Sequence, residues 1–340
     1  MKNVAIIGGG LSGLYAAHFL QSSCHIILFE ARERLGGRIQ SVQGLDLGPS
    51  WIWPHQNRII NLIRSLGLET FRQYDKGNAL YETAQGVERF MAPPTSPSLR
   101  IQGGTGSLIE RLTTLLTATT IHLNEAVISV RQHNDRIVLI TSECEYEFDE
   151  VIVTLPPRLA LQSLSYDPPL PDELQTRFSN TPTWMGNSIK CVIEFASPFW
   201  RDMGLSGFCF SHVGPMGEMH DACTQNRHAL FGFIRSDANM NNIENLVRSQ
   251  LKNLFGNHAT KIIGFHCIDW RTEKLTSVDA DRIIPLSHPQ YGLEAMHFDS
   301  KLRFIGTETS YDDGGYLEGA MASVERLKGI DRFNSLSSIT

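Results

Sequence analysis

Val4-Ala5-Ile6-Ile7-Gly8-Gly9-Gly10-Leu11-Ser12-Gly13 is the stretch that decides the fold of this chain. Four apolar residues bounded by glycine are typical of a buried parallel strand. The glycines at 8, 10 and 13 fit the pattern G-x-G-x-x-G, and the residues that follow predict a helix from about Leu14 to Gln21. A strand, a tight turn and a helix in this order form the start of a dinucleotide-binding unit.

Each glycine of the pattern has a physical task. Gly8 makes the tight turn, Gly10 lets the backbone approach a pyrophosphate, and Gly13 lets the helix pack closely on the strand. A second predicted strand, Ile26 to Phe29, ends in Glu30, where a carboxylate can accept hydrogen bonds from a ribose. The alternative is an ordinary strand–turn–helix corner, which leaves Glu30 unexplained. We therefore predict a dinucleotide with its phosphates at the N-terminus of the first helix.

Composition narrows the class of protein. The chain has 340 residues, a hydrophobic share of 41% and a charged share of 19%, which suit a soluble globular protein of about two domains. A net charge of −6 without a run of Lys or Arg argues against a nucleic-acid or anionic-membrane partner. The six cysteines are scattered without C-x-x-C, and no metal-binding pattern such as H-E-x-x-H occurs. With neither a signal peptide nor a transmembrane stretch in view, we expect a cytoplasmic protein without a metal site.

Two further glycine-rich segments point to ligand contact. Glu30 is followed by residues 31–38, Ala-Arg-Glu-Arg-Leu-Gly-Gly-Arg, where backbone can pass close to a ligand and Arg38 can reach an anionic group. A solvated arginine on a surface turn is the alternative. Near the other end, residues 303–309 predict a strand, and Gly314-Gly315-Tyr316 precedes a predicted helix from Glu318 to Leu327. This second strand–glycine–helix unit suits an extended ligand that is touched at both ends, or else an independent packing turn.

Taken in order, these blocks resemble the flavin-containing amine oxidase family, which includes monoamine oxidases, polyamine oxidases, L-amino acid oxidases and lysine demethylases. The resemblance is carried by GGGLSGL at 8–14, FEARERLGGRI at 29–39, LDLGPSWIW at 45–53, VIVTLPP at 151–157 and the GTET and GGYLEGA blocks at 306–309 and 314–320. It implies an α/β fold in which a Rossmann-type FAD-binding domain, a parallel sheet with helices, is interleaved with a mixed-sheet α+β substrate domain. We assign 1–66, 99–158 and 286–330 to the first domain, 67–98 and 159–285 to the second, and 331–340 to a flexible tail.

The resemblance also implies which residues hold FAD. They lie in the glycine turn, after the acid, in the LDLGPSW block, at one strand that meets the adenine, and in the C-terminal block: Gly8, Gly10, Leu11, Ser12, Gly13, Glu30, Ala31, Arg32, Gly36, Gly37, Arg38, Gly48, Pro49, Ser50, Trp51, Val127, Gly306, Glu308, Gly315, Tyr316 and Ala320.

Three residues are catalytic candidates. Lys190 lies in the apolar predicted strand 188–194, and the family carries a lysine there that holds a water near flavin N5; a solvated lysine on an edge strand is the alternative. Tyr316 resembles one wall of the family's aromatic cage around the amine, with a core tyrosine as the alternative. Trp270 matches a tryptophan that packs beside the flavin, although a tryptophan at a strand end is often a core residue.

One segment departs from the family pattern. After its tryptophan, a monoamine oxidase carries a cysteine that links covalently to FAD and a second cage tyrosine, whereas residues 271–279 here read Arg-Thr-Glu-Lys-Leu-Thr-Ser-Val-Asp. We therefore expect non-covalent FAD and a half-formed cage, and the monoamine substrate class is in doubt. Arg72 or Arg158 is a candidate for holding a substrate carboxylate, with a surface role as the alternative.

The resemblance implies an FAD-dependent oxidoreductase that oxidises a small amine. A hydride would pass from the carbon alpha to the amine to flavin N5, the imine would be hydrolysed, and O2 would reoxidise the flavin with release of H2O2. Two alternatives remain: a flavoprotein that dehydrogenates or desaturates a non-amine substrate with another electron acceptor, and a non-catalytic FAD-binding redox protein.

Overall fold

The computed structural model describes residues 1–93, 96–283 and 287–329. The flexible tail expected over 331–340 lies outside the described residues. The strands are β1 (Lys2–Ile7), β2 (Cys24–Phe29), β3 (Ser41–Val42), β4 (Leu45–Asp46), β5 (Thr70–Arg72), β6 (Asn78–Thr83), β7 (Gly86–Phe90), β8 (Leu99–Ile101), β9 (Thr119–His122), β10 (Val127–His133), β11 (Arg136–Thr141), β12 (Glu145–Phe148), β13 (Glu150–Val153), β14 (Ser165–Asp167), β15 (Ile189–Phe195), β16 (Leu205–Ser211), β17 (Met216–Asp221), β18 (His228–Ile234), β19 (Ile262–Asp269), β20 (Ala295–His297) and β21 (Leu302–Phe304).

The α-helices are interspersed among these strands. They are α1 (Leu11–Leu20), α2 (Asn57–Ser65), α3 (Gly106–Thr114), α4 (Pro157–Ser163), α5 (Asp172–Ser179), α6 (Phe199–Asp202), α7 (Ile243–Phe255) and α8 (Leu317–Glu325). Helix α1 begins three residues before the predicted start at Leu14, because Gly10 in extended geometry (φ −75°, ψ −178°) is the residue that ends the turn. Leu11, Ser12 and Gly13 therefore form its first turn.

A parallel sheet with helices carries the dinucleotide motif. Among the described residues it has six strands in the order β20-β21-β13-β1-β2-β9, and only β20 runs antiparallel to its neighbour. Alternate side chains of β1 enter two different cores: Val4 and Ile6 pack with α1, α2, α3 and α8, whereas Ala5 and Ile7 pack on the other face. Burial on both faces explains why the last four residues of this strand, Val4 to Ile7, are all apolar. The predicted Rossmann-type fold is confirmed.

A mixed sheet forms the second large layer. In the described chain its order is β19-β15-β18-β17-β16-β6-β7, with β6 parallel to β16 and the other pairs antiparallel. The hairpin β6–β7 and the strand β17 were not recognised in the sequence, because their polar residues break the hydrophobic alternation that marks a half-buried strand. Through β6, the segment before residue 98 joins the sheet formed after residue 188.

The core of this mixed sheet lies on one face, under α6 and α7. The opposite face of the strands β15 and β18 packs on Leu45 and Leu47 through Val192, Ala229 and Phe231. Through this contact the mixed sheet packs against β4 and the residue that follows it, Leu47. No helix among the described residues is long and apolar enough to cross a membrane.

Candidate functional site

A cavity of about 440 Å³ opens where the parallel strands end. Gly8, Glu30 and Thr154 directly follow β1, β2 and β13, and all three line it. Ligands of open parallel sheets bind outside the carboxyl ends of the strands, because the loops there diverge and leave a crevice. The other wall comes from the mixed sheet, so the cavity lies between the two layers.

The glycine turn combines tight packing with one open position. A Cβ on Gly13 would lie 1.9 Å from the carbonyl oxygen of Gly8, so this residue must be glycine for α1 to approach the strand. A Cβ on Gly10, in contrast, would meet nothing within 4 Å. Gly10 lines the cavity, and α1 starts directly after it without a side-chain cap. The amides of the first helical turn are therefore available to an anionic ligand.

Glu30 is buried and hydrogen-bonded to the glycine turn. Its Oε2 accepts a hydrogen bond from the backbone N–H of Gly9 at 2.8 Å, and its Oε1 accepts one from that of Arg32 at 2.8 Å. Each carboxylate oxygen keeps a second lone pair. The carboxylate thus orients the turn and still offers acceptors to a ligand hydroxyl.

Two of the three arginines that follow Glu30, Arg32 and Arg38, make long-range contacts. Arg32 donates to Thr276 Oγ1 at 2.8 Å and to the carbonyl of Leu275 at 3.3 Å, and so ties the dinucleotide loop to the segment after β19. The guanidinium of Arg38 forms two hydrogen bonds to the carboxylate of Glu308, with Nη1–Oε1 at 2.6 Å and Nη2–Oε2 at 3.0 Å. The anionic group that Arg38 reaches is therefore a side chain of the C-terminal block.

Lys190 is buried at the base of the cavity. Its strand β15 lies between β18 and β19, so the edge-strand alternative is excluded, and the residue is only 3% exposed. Its Nζ donates to the carbonyl of Gly48 and to Ser50 Oγ, both at 2.7 Å, and sits 4.2 Å from the centre of the Phe231 ring. Burial lowers the pKa of Lys190 to about 7. The amine is poised to gain or lose a proton near neutral pH.

Aromatic side chains form the rest of this wall. Trp270 is buried and donates from Nε1 to the carbonyl of Leu47 at 3.1 Å. Tyr316 has Trp53 and Trp184 beside it, with ring centres 5.3 and 5.9 Å away at steep angles. Both tryptophans come from segments distant in sequence, and the ring of His288 also stacks on that of Tyr316, with centres 5.2 Å apart. The half-formed cage around Tyr316 stays a prediction. Burial, followed by the charge of Asp313, raises the pKa of the Tyr316 phenol, which therefore stays neutral.

The structure brings most of the predicted site residues to one cavity. Those that line it are Gly8, Gly10, Leu11, Ser12, Glu30, Arg32, Gly36, Gly37, Arg38, Gly48, Pro49, Ser50, Trp51, Lys190, Trp270, Gly315, Tyr316 and Ala320. Gly13, Ala31, Val127, Gly306 and Glu308 do not line it. Gly13 serves helix packing, Glu308 holds Arg38, and Val127 is a core residue at the start of β10. The two candidates for holding a substrate carboxylate, Arg72 and Arg158, form ion pairs with Asp75 and Asp281, respectively.

Several lining residues escaped the sequence analysis. They are Ile39, Leu47, Trp53, Thr154, Leu155, Pro156, Trp184, Met185, Ser188, Phe231, Phe233, Leu275, Thr276, Thr307 and Leu317. For Phe231 and Phe233 a signal existed: they alternate on a predicted strand, so both face one side of the sheet. For Trp184 nothing local distinguishes a cavity wall from a core tryptophan.

The lining fits a bound flavin dinucleotide. One end supplies helix amides, an open glycine and a buried carboxylate, which suit a pyrophosphate and a ribose. The other end supplies Trp270, Tyr316, Phe231 and Phe233, which suit a flat apolar ring system. No cysteine is found among the described residues that line the cavity. The described lining therefore offers no cysteine thiol for a covalent link to a flavin.

Fold and site together define a dinucleotide-binding α/β protein, and the comparison with known proteins gives the family. The family described as flavin containing amine oxidoreductase matches residues 11–96 and 79–326, so this chain belongs to it and is a flavin-dependent enzyme with FAD as cofactor. The chain is similar to amine oxidase [flavin-containing] B of Sus scrofa, with 25% identity over 447 residues that cover 95% of this chain and 85% of that protein.

Two solved structures show the same fold. Putrescine oxidase bound to putrescine superposes with a TM-score of 0.80 and 19% identity, over 96% of this chain and 98% of that one. Cyclohexylamine oxidase from Brevibacterium oxydans IH-35A also gives a TM-score of 0.80, with 17% identity over 96% and 97% of the two chains.

Proposed function

We propose that this protein oxidises a small amine at the cavity and uses O2 as electron acceptor. The observation that carries the proposal is the position of Lys190, a buried amine that faces the cavity between Ser50 and the Phe231 ring. Membership of the amine oxidoreductase family and the likeness to enzymes named for putrescine and cyclohexylamine support an amine as substrate. A cytoplasmic location, suggested by the scattered free thiols, is part of the proposal and is tested by cell fractionation.

Bound FAD would supply the redox chemistry: it would accept a hydride from the carbon alpha to the amine and would pass two electrons and two protons on to O2 to give H2O2. The residues of the chain prepare the substrate. Tyr316, Trp53 and Trp184 exclude water and favour the uncharged amine, because its lone pair must assist departure of the hydride. The imine product takes up water and divides into a carbonyl compound and ammonia.

Lys190 handles a proton in this scheme. Its amine hydrogen-bonds Gly48 and Ser50 on one side and faces the cavity on the other. With a pKa of about 7, the group exists in both protonation states at neutral pH, which is the condition for efficient proton transfer. We assign it the delivery of a proton during reoxidation by O2.

A visible spectrum of the purified protein, followed anaerobically through a panel of amines and amino acids, tests the proposal. Bleaching by an amine, with recovery of colour and release of peroxide when air is admitted, is the expected result. Bound flavin that no amine bleaches would overturn amine oxidation and favour a dehydrogenase or a redox protein. Recovery without peroxide in air would overturn O2 as the acceptor.

A variant pair isolates the role of Lys190. Lys190→Met is expected to leave anaerobic bleaching by the amine within about threefold and to slow reoxidation at least about 100-fold, the usual contribution of a positioned proton donor. Lys252→Met, on the exposed side of α7, is the matched control and should change neither rate. Equal reoxidation rates in the two variants would contradict the assignment.

A further inference from the structure

A buried pair of opposite charges adjoins the loop that carries the hydrogen-bond acceptors of Lys190, Gly48 and Ser50. The Arg100 guanidinium on β8 faces the Asp46 carboxylate at the end of β4, with Nη2 and Oδ2 4.0 Å apart. The two side chains are 2% and 1% exposed. Neither side chain lines the cavity, so neither can touch a ligand there. Charges buried this deeply are costly, and their presence calls for a physical reason.

Asp46 anchors the loop that carries the hydrogen-bond acceptors of Lys190. Its Oδ1 accepts hydrogen bonds from the backbone N–H of Thr105 at 2.7 Å, from Thr105 Oγ1 at 2.8 Å and from Ser41 Oγ at 2.7 Å. Gly48 and Ser50, two and four residues further on, bind the Lys190 amine. The position of the amine therefore depends on the anchoring of Asp46.

The contact between Asp46 and Arg100 is electrostatic rather than a direct hydrogen bond. Within the described structure, Asp46 Oδ2 and Arg100 Nε are buried without a hydrogen-bond partner, and 4.0 Å exceeds the length of such a bond. Arg100 Nη1 is held by the carbonyl of Cys223 at 3.3 Å, and the Phe71 ring lies 5.5 Å from its guanidinium carbon. In this poorly screened interior, both charges act on a neighbouring amine over several ångströms.

We propose that Asp46 and Arg100 are positioning residues that set the charge of the Lys190 amine from opposite directions, with the carboxylate favouring the ammonium form and the guanidinium opposing it. This inference rests on the proposed role of Lys190 in proton delivery. It makes the pH at which that role operates a property of three residues rather than one.

Within the described part of the chain, the charged and titratable groups that act on the amine are Asp46, Arg100 and Cys191. After burial, which is the largest cause, Asp46 raises the pKa of Lys190, Arg100 lowers it and the Cys191 thiol has a small effect. Burial holds the pKa of Cys191 itself well above its usual value, so that thiol stays neutral. Burial and the Asp46–Arg100 pair are therefore the influences to which the proposal assigns the charge of Lys190.

The test is a direct titration of the Lys190 amine in the FAD-loaded protein. Lysine labelled with ¹³C at Cε is followed by NMR from pH 5 to 10, and the Lys190 signal is assigned as the one missing from Lys190→Met. Asp46→Asn, which keeps an oxygen for Thr105 and Ser41, is expected to lower the pKa of Lys190 by about one unit. Arg100→Gln is expected to raise it by about one unit.

Conservative variants are the controls. Asp46→Glu and Arg100→Lys keep the charges and should stay within about 0.3 unit of the wild-type pKa of Lys190. Shifts of the same sign in Asp46→Asn and Arg100→Gln, or shifts below about 0.3 unit in both, would overturn the proposal. If Asp46→Asn does not fold, Arg100→Gln against Arg100→Lys carries the test. Because the titration requires no turnover, it stands even if no amine proves to be a substrate.

Discussion

Arg38 and Glu308, 270 positions apart in the chain, form a two-point ion pair at the edge of the flavin cavity. The Glu308 carboxylate also accepts a hydrogen bond from the backbone N–H of Trp184 at 3.1 Å, and Arg38 donates to the carbonyl of the same residue. The pair thus joins the N-terminal loop, the C-terminal block and the segment before β15. These three segments meet where the cavity is lined.

We expect Arg38→Met to destabilise the fold and to weaken flavin retention together. The Glu308 side chain is 1% exposed, and removing the partner of a buried charge costs about 3 kcal/mol. Urea unfolding and the flavin content after gel filtration measure both effects. Arg72→Met is the control, since its pair with Asp75 is exposed and should contribute less than about 1 kcal/mol. Equal losses in the two variants would contradict the structural role of the pair.

Two glycines of the same turn should respond differently to alanine. Gly10→Ala places a methyl group in open space at an ordinary φ of −75°, so the protein should fold with wild-type stability and bind FAD at least about tenfold more weakly. Gly13→Ala meets the Gly8 carbonyl at 1.9 Å and should unfold the N-terminal unit. Circular dichroism and FAD titration of the apoproteins separate the two outcomes. If the Gly10→Ala protein bound FAD with wild-type affinity, the pyrophosphate would not bind at this turn.

Lys190 should make stability depend on pH. Burial lowers its pKa to about 7, while an unfolded chain keeps the ordinary value of about 10.4. Between these values the unfolded chain binds the extra proton, so the free energy of unfolding rises with pH. Relative to Lys190→Met, the wild type should gain about 3 kcal/mol in unfolding free energy between about pH 6 and pH 9. Urea unfolding at the two pH values measures this gain. If the unfolding free energies of wild type and Lys190→Met changed equally with pH, the amine would be exposed to water. The control Lys252→Met should show the same pH dependence as the wild type.

Tyr316 should act on the amine through its ring rather than through its hydroxyl. We expect Tyr316→Phe to keep kcat/KM within about threefold, because the aromatic face remains. Tyr316→Leu should lower it by about tenfold or more, since attraction of a ring face for an amine that arrives as the ammonium ion is worth about 1–2 kcal/mol. Steady-state kinetics with the best amine of the panel provides the measurement, and Tyr311→Leu on the exposed surface is the control. A larger loss in Tyr316→Phe than in Tyr316→Leu would assign the function to the hydroxyl.

Local sequence patterns predicted the parts of the fold that short-range backbone geometry and burial determine. The apolar run before Gly8, the glycine spacing and the acid after the second strand depend only on backbone geometry and burial. The strand that contains Lys190 and the helix Ile243–Phe255 were likewise visible from hydrophobic spacing. The start of α1 was wrong by three residues, since a glycine turn and the first helical turn contain similar residues.

Contacts between distant segments could not be predicted in the same way. Neither the pairing of Arg38 with Glu308 nor the approach of Trp53 and Trp184 to Tyr316 leaves a periodic signal, because each depends on how separate loops pack. The hairpin β6–β7 joined the mixed sheet for the same reason, through parallel pairing with β16.

The sequence by itself determined the class of ligand, because a strand, an open glycine turn and a buried acid are local requirements of a dinucleotide. Only the tertiary structure decided the charge state of Lys190. A lysine in an apolar strand stays solvated and charged at the edge of a sheet. In the interior of a sheet, burial favours its neutral form. The neighbours β18 and β19, the Phe231 ring and the pair Asp46–Arg100 place it in the interior. Desolvation depends on everything that surrounds a group, and that is a property of the folded chain alone.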